Sequence, residues 1–223
     1  MTGRVPAPHG GGRVARRGPD PTEAAGAVLL VHGRGAGAES ILTLADELAR
    51  PELAWIAPQA AGGTWYPLSF LAPREENEPA LSSALALLES LTAGLLAQGL
   101  PSERLAVVGF SQGACLALEH VVRHPRRYGL VAGLTGGLIG PPGTRWETHG
   151  EPLDGTPVFL GSGDPDPHVP WARVVETADV LRGLGAEVTL RRYPGRMHTV
   201  SRAELDAVGS LLDAMSRSED VPR

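Results

Sequence analysis

The sequence predicts an α/β fold: a mostly parallel central sheet with helices on both faces. Three observations predict it. Apolar, strand-like runs alternate with helical patterns along the 223 residues, which is the signature of strands joined by crossover helices. The run Ala27-Val28-Leu29-Leu30-Val31 has no polar residue, as expected of a strand buried on both faces. The runs end in loops carrying Gly, Pro, Asp and His, at the sheet edge where ligands bind in such folds.

Strands are expected near 27–31, 53–57, 104–110, 130–134, 157–161 and 187–193. An extra antiparallel strand is placed within 11–18. Helices are expected near 40–49, 80–98, 112–123, 171–183 and 201–214. The helix at 80–98 is read from Leu81, Leu85, Leu88, Leu91 and Leu95, an apolar stripe at three- and four-residue steps. The chain reads as one domain over 1–223, with an ordered core of about 25–214 and polar tails at both ends. There is no internal repeat, and no room for a separate cap domain.

The most informative segment is Gly109-Phe110-Ser111-Gln112-Gly113, set between the run Leu105-Ala106-Val107-Val108 and the helical pattern from Ala114. A G-x-S-x-G turn between strand and helix forces its serine into strained angles and needs small neighbours, here Gly109 and Gly113. The hydroxyl of Ser111 is then lifted clear of the sheet at a helix N-terminus. An ordinary turn with an incidental serine is the plainer alternative.

A serine needs a base, and the base needs an orienting acid, in the chain order serine, acid, histidine. Two acids follow the strand at 157–161: Asp164 and Asp166. Asp166 is preferred because Asp166-Pro167-His168-Val169-Pro170 leads directly into the next helix. His198, in the loop after the strand at 187–193, is the expected base. The turn His32-Gly33-Arg34-Gly35 follows the first buried strand. Its Arg34 amide, with the Gln112 amide, is expected to form an oxyanion hole. The Arg34 side chain is read as pairing with a nearby carboxylate, or alternatively as binding an acidic substrate group. Gly33 to Ala38 also fits a loose dinucleotide fingerprint, but the next strand ends in Pro58-Gln59 with no acid to hold a ribose.

These pieces resemble the phospholipase/carboxylesterase family of small α/β-hydrolases, which includes the acyl-protein thioesterases. The bacterial branch with His-Gly-Arg-Gly is nearest. The resemblance rests on His32 to Gly35, Gly109 to Gly113, Asp166 to Pro170 and Tyr193 to His198, and it covers roughly residues 25 to 214. It implies an α/β-hydrolase fold, a triad of Ser111, Asp166 and His198, and oxyanion donors at Arg34 and Gln112. One departure is Met197, where the family often has glycine.

The remaining composition narrows the choices. All 20 basic residues are arginine, so P-loop and Schiff-base lysine chemistry is excluded. A net charge of −5 argues against a general nucleic-acid binder. The single Cys115 reads as a small core residue. His120 and His124 stand four apart on one helix, but the glutamate of a metalloprotease helix is missing, so no metal and no cofactor are expected. No apolar stretch is expected to reach the length of a membrane span, and the N-terminus lacks a secretory pattern; cytoplasmic residence without membrane insertion is the default.

Trp65, Tyr66 and Phe70 cluster on the loop 59–79, and Leu138 and Ile139 on 138–150. Either they wall a substrate pocket or they pin their loops to the core. His168 either faces that pocket or shapes its turn. The expected reaction is serine carboxylester hydrolysis of a small-molecule ester, on short or medium acyl or aryl groups. Rivals are a thioesterase or lysophospholipase with the same triad, and a ligand-binding protein with little turnover. A homodimer is left open.

Overall fold

The structure is a computed structural model that describes residues 4–146 and 152–217. Seven strands form one sheet: β1 (Val14–Arg17), β2 (Gly26–Val31), β3 (Leu53–Pro58), β4 (Leu105–Phe110), β5 (Leu130–Leu134), β6 (Pro157–Asp164) and β7 (Glu187–Pro194). Their spatial order is β1-β3-β2-β4-β5-β6-β7. All neighbours are parallel except β1, which pairs antiparallel with β3. The expected extra strand is therefore real, and lies at the sheet edge. The helices are α1 (Ala38–Ile41), α2 (Thr43–Leu48), α3 (Ala80–Ala97), α4 (Gln112–Arg123), α5 (Trp171–Gly183) and α6 (Arg202–Arg217).

Alternation along the buried strands explains their unbroken apolar runs. On β2, Leu29 and Val31 join one core with Val107, Leu81, Leu88, Leu116 and Val174, under α3, α4 and α5. Val28 and Leu30 join the other with Val108, Ile41, Leu48 and Leu212, under α1, α2 and α6. Both faces are covered, so polar residues have no place on the central strands. The edge strand β7 is different: exposed and half-buried residues alternate along it, and its outer charges discourage pairing with another edge.

Four findings differ from the sequence reading. The helix expected at 40–49 is two short helices, because Leu42 serves as the C-cap of α1 and the N-cap of α2. Strand β6 runs to Asp164, three residues further than expected. The packed region starts before residue 25: His9 is buried, its backbone N–H donates to Ser83 Oγ (3.0 Å), and β1 is in the sheet. Last, α3 is long and apolar enough to cross a membrane, with a mean hydropathy of 1.6 over 18 residues, contrary to expectation. Here it is a core helix whose Leu81, Ala84, Leu85, Leu88 and Leu95 are buried. Of the expected C-terminal tail, Ser216 and Arg217 belong to α6, and 218–223 lie outside the described residues.

Two neutral histidines hold the loop that starts at Ala60: His9 from the N-terminal segment and His32 from the end of β2. His9 Nδ1 accepts from the Ala61 N–H (3.1 Å) and its Nε2 donates to the Trp65 carbonyl (3.0 Å). His32 Nε2 accepts from the Ala60 N–H (3.1 Å) and its Nδ1 donates to Gly33 O (2.8 Å). Burial lowers the pKa of both, only partly countered by those carbonyls. In the unfolded chain each protonates below about pH 6.5. The unfolded state therefore binds more protons between that pH and the lower folded pKa, and stability is lost as pH falls through this window. The melting temperature is expected to drop between pH 7.5 and 5; a melting temperature that holds or rises there contradicts the assignment.

Candidate active site

The site lies beyond the C-terminal ends of β2, β4, β6 and β7. Ser111 follows β4 with φ 54° and ψ −121°, a conformation that costs a non-glycine residue about 1–3 kcal/mol. Its neighbours explain how the turn holds. A Cβ on Gly109 would lie 2.3 Å from the Gly113 carbonyl oxygen, and one on Gly113 would lie 2.1 Å from that of Val31. Helix α4 thus sits directly on the strands, and only glycine fits at either position. The Ser111 N–H donates to Leu134 O (3.0 Å), tying the turn to β5.

His198 Nε2 lies 2.8 Å from Ser111 Oγ, and its Nδ1 lies 2.8 Å from Asp166 Oδ2. The other Asp166 oxygen accepts from the N–H groups of His168 and Val169, each at 2.8 Å. Burial pushes the Asp166 carboxyl up, but those two amides and the His198 ring outweigh it, leaving its pKa below the usual value. Asp164 is elsewhere: at the end of β6, its carboxylate pairs with Arg192.

The His198 loop is clamped from below. Arg196 donates to Ser201 Oγ (3.1 Å) and Thr135 Oγ1 (3.2 Å), and pairs with the fully buried Glu204. Glu204 also accepts from the Ser201 N–H (2.8 Å) at the start of α6. The Arg196 carbonyl sits where a Gly163 Cβ would be, at 2.4 Å. These contacts set the histidine loop against β6, the strand that leads to Asp166. Met197 is 80% exposed, so the bulk it brings in place of glycine projects outward.

The turn after β2 faces the serine. A Cβ on Gly33 would touch both the Phe110 ring and the Ser111 Cβ at 3.4 Å, which brings the Arg34 turn beside the nucleophile. The Gln112 N–H opens α4, where no carbonyl one turn back is available to it. The Arg34 side chain pairs with no carboxylate among the described residues. It donates to the carbonyls of Tyr66 (3.0 Å), Pro67 (2.8 Å) and Leu68 (2.6 Å), fastening the loop that roofs the site. The Gln112 side chain does the same from the other side, accepting from the Trp65 N–H (3.0 Å) and donating to Tyr66 O (2.8 Å).

A cavity of about 510 Å³ opens over Ser111. Tyr66, Phe70 and His168 line it, with Leu68, Phe110 and Val169. His168 therefore serves both readings: its amide shapes the turn, and its ring stands edge-on to His198 at 4.8 Å. Three expected wall residues do not reach the cavity. Trp65 is fully buried, with its Nε1 donating to His32 O (2.8 Å). Leu138 and Ile139 are fully buried too. Arg173 and Thr177 bind the Leu138 backbone, while Arg74 and Glu119 bind that of Ile139. Cys115 lies at the cavity floor, where burial pushes its thiol up to about 12; it is protonated near neutral pH and unreactive.

Phe110, Arg196 and Glu119 were missed by sequence reasoning. Phe110 is the variable position of the serine motif, and nothing in the pattern says which way it points. Arg196 stood two residues before His198, and only its pairing with Glu204 gives it meaning. Glu119 is a buried acid on a core helix; its partners are Arg123 on the same helix, Arg74, and Ile139 and Trp146 from the segment after β5.

Comparison with known proteins shows the family and the fold. A model of the phospholipase/carboxylesterase family matches residues 19–216. The crystal structure of a phospholipase/carboxylesterase from Dyadobacter fermentans is 42% identical, with a TM-score of 0.88 over 93% of this chain and 99% of that one. An acyl-protein thioesterase 1 from Neurospora crassa is 29% identical over 140 residues, 62% of this chain and 57% of that protein. A protein named "Probable carboxylesterase" from Oryza sativa is 27% identical over 227 residues, 89% of this chain and 83% of its own length. The chain thus spans a little over half the length of the Neurospora relative.

Proposed function

The chain belongs to the phospholipase/carboxylesterase family, and from that premise we propose that it is a serine carboxylester hydrolase acting on short or medium acyl or aryl esters. The observation that carries this is the pair of 2.8 Å contacts joining Ser111 to His198 and His198 to Asp166. Ser111 Oγ attacks the ester carbonyl while His198 Nε2 takes its proton. Asp166 holds the Nδ1–H and stabilises the imidazolium. The Arg34 and Gln112 amides hold the oxyanion. His198 then gives its proton to the leaving alkoxide, and water releases the acyl group by the same route. This chemistry requires no metal or cofactor.

The substrate reading rests on the cavity. Its size matches a small ligand site, and its walls are largely aromatic and aliphatic. An aryl or acyl group is held by Tyr66, Phe70 and Phe110, rather than by the buried Trp65. The relative from Neurospora crassa, by its name, favours a thioester as the second reading. A series of p-nitrophenyl esters of increasing acyl length is expected to show an optimum at short or medium chains. A matched ester and thioester is expected to show the higher kcat/KM on the ester. Thioester preference moves the assignment to the second reading, and no turnover of either supports a binding protein. Cytoplasmic residence goes with this proposal.

A further inference from the structure

Far from Ser111, the structure brings a third side chain to the His120 and His124 pair of α4. Glu89 on α3 places its Oε2 3.9 Å from His120 Nε2 and 3.7 Å from His124 Nδ1. One ligand atom from each residue lies within 4.8 Å of the others. We propose that Glu89, His120 and His124 form a binding site for a divalent transition-metal ion of the zinc type, linking α3 to α4.

The donor set suits that class of ion. Two imidazole nitrogens and one carboxylate oxygen make a three-residue site with a fourth position left for water. Zinc bonds of about 2.0–2.1 Å place tetrahedral ligands roughly 3.3–3.5 Å apart. The glutamate–imidazole separations need to close by only a few tenths of an ångström, and the widest separation by more. His124 and Glu89 are both partly exposed and can turn to do so.

His120 offers its Nε2. Its side chain is fully buried, and that nitrogen has only a 3.4 Å contact with Thr92 Oγ1 besides Glu89, so it is open to a stronger partner. The other ring nitrogen, Nδ1, has no hydrogen-bond partner and takes no part in the site. Arg126 is the opposing charge. Its Nη2 spans the two Glu89 oxygens at 3.1 and 3.2 Å. On metal binding Oε2 turns to the ion and Oε1 keeps the arginine, an outer hydrogen bond of the sort that orients ligating carboxylates. The arginine's charge opposes the ion, while its hydrogen bond orients Glu89.

The test is calorimetric titration of the full chain with Zn2+, repeated with Co2+ to read the coordination spectrum. One equivalent is expected to bind. Glu89→Gln and His124→Gln should each weaken binding at least tenfold. Glu89 and His124 are partly exposed, so these variants are expected to fold, which circular dichroism checks. His168→Gln, which breaks up the histidine pair at the active site, should leave the stoichiometry unchanged. A Kd weaker than about 1 mM for the wild-type chain, or wild-type affinity in both Glu89→Gln and His124→Gln, overturns the proposal.

Discussion

Replacing Ser111 with alanine is expected to lower kcat for ester hydrolysis by at least ~10⁴-fold while leaving the melting temperature nearly unchanged. The Ser111 hydroxyl is 2.8 Å from the base, and alanine removes that oxygen alone. The substitution keeps the Cβ, so the strained φ of 54° and the fit of the turn persist. Residual turnover would come from the oxyanion amides and substrate binding. Ser111→Gly gives a second readout. It relieves the backbone strain, so it should melt higher than Ser111→Ala even though glycine is the more flexible residue. Turnover within tenfold of wild type in Ser111→Ala would remove Ser111 from the mechanism.

Asp166→Asn is expected to cost about 10³–10⁴ in kcat, and Asp164→Asn less than tenfold. The reason is the hydrogen-bond pattern at residue 166. The His168 and Val169 N–H groups both point at one side-chain oxygen. An asparagine keeps its carbonyl oxygen there and so turns its NH2 toward His198 Nδ1. That ring nitrogen must then accept, which moves the imidazole proton to Nε2. An Nε2–H cannot take the serine proton. Asp164 has no such link; its carboxylate is committed to Arg192. The loss at Asp166 should appear in kcat rather than KM. The reverse ranking would transfer the orienting role to Asp164.

Much of this was legible in the chain. The buried strands declared themselves because a strand covered on both faces tolerates no polar residue, and Val28 to Val31 serve two cores at once. Ser111, Asp166 and His198 could be placed because each follows a strand end, in the chain order that goes with this fold. What stayed hidden depends on long-range partners. Trp65 left a substrate wall and a loop pin equally open, and its indole N–H, used by the His32 carbonyl, makes it the pin. Arg34 looked like a charge in search of a carboxylate, and instead binds three carbonyls of one loop. Leu138 and Ile139 sit on a segment whose course is set by Glu119, Arg74, Arg173 and Thr177. No local pattern reports such contacts. The leucine stripe of α3 masks its membrane-length character, which comes from its other face being poor in charge as well.

The central claim is that Ser111 is an activated nucleophile. The most direct measurement is labelling of the intact chain with a fluorophosphonate, followed by mass spectrometry of the digested protein. The account predicts one phosphonyl adduct per chain, on the peptide that contains Ser111, and none in Ser111→Ala. An unlabelled wild-type chain, or an adduct on any other residue, would contradict it.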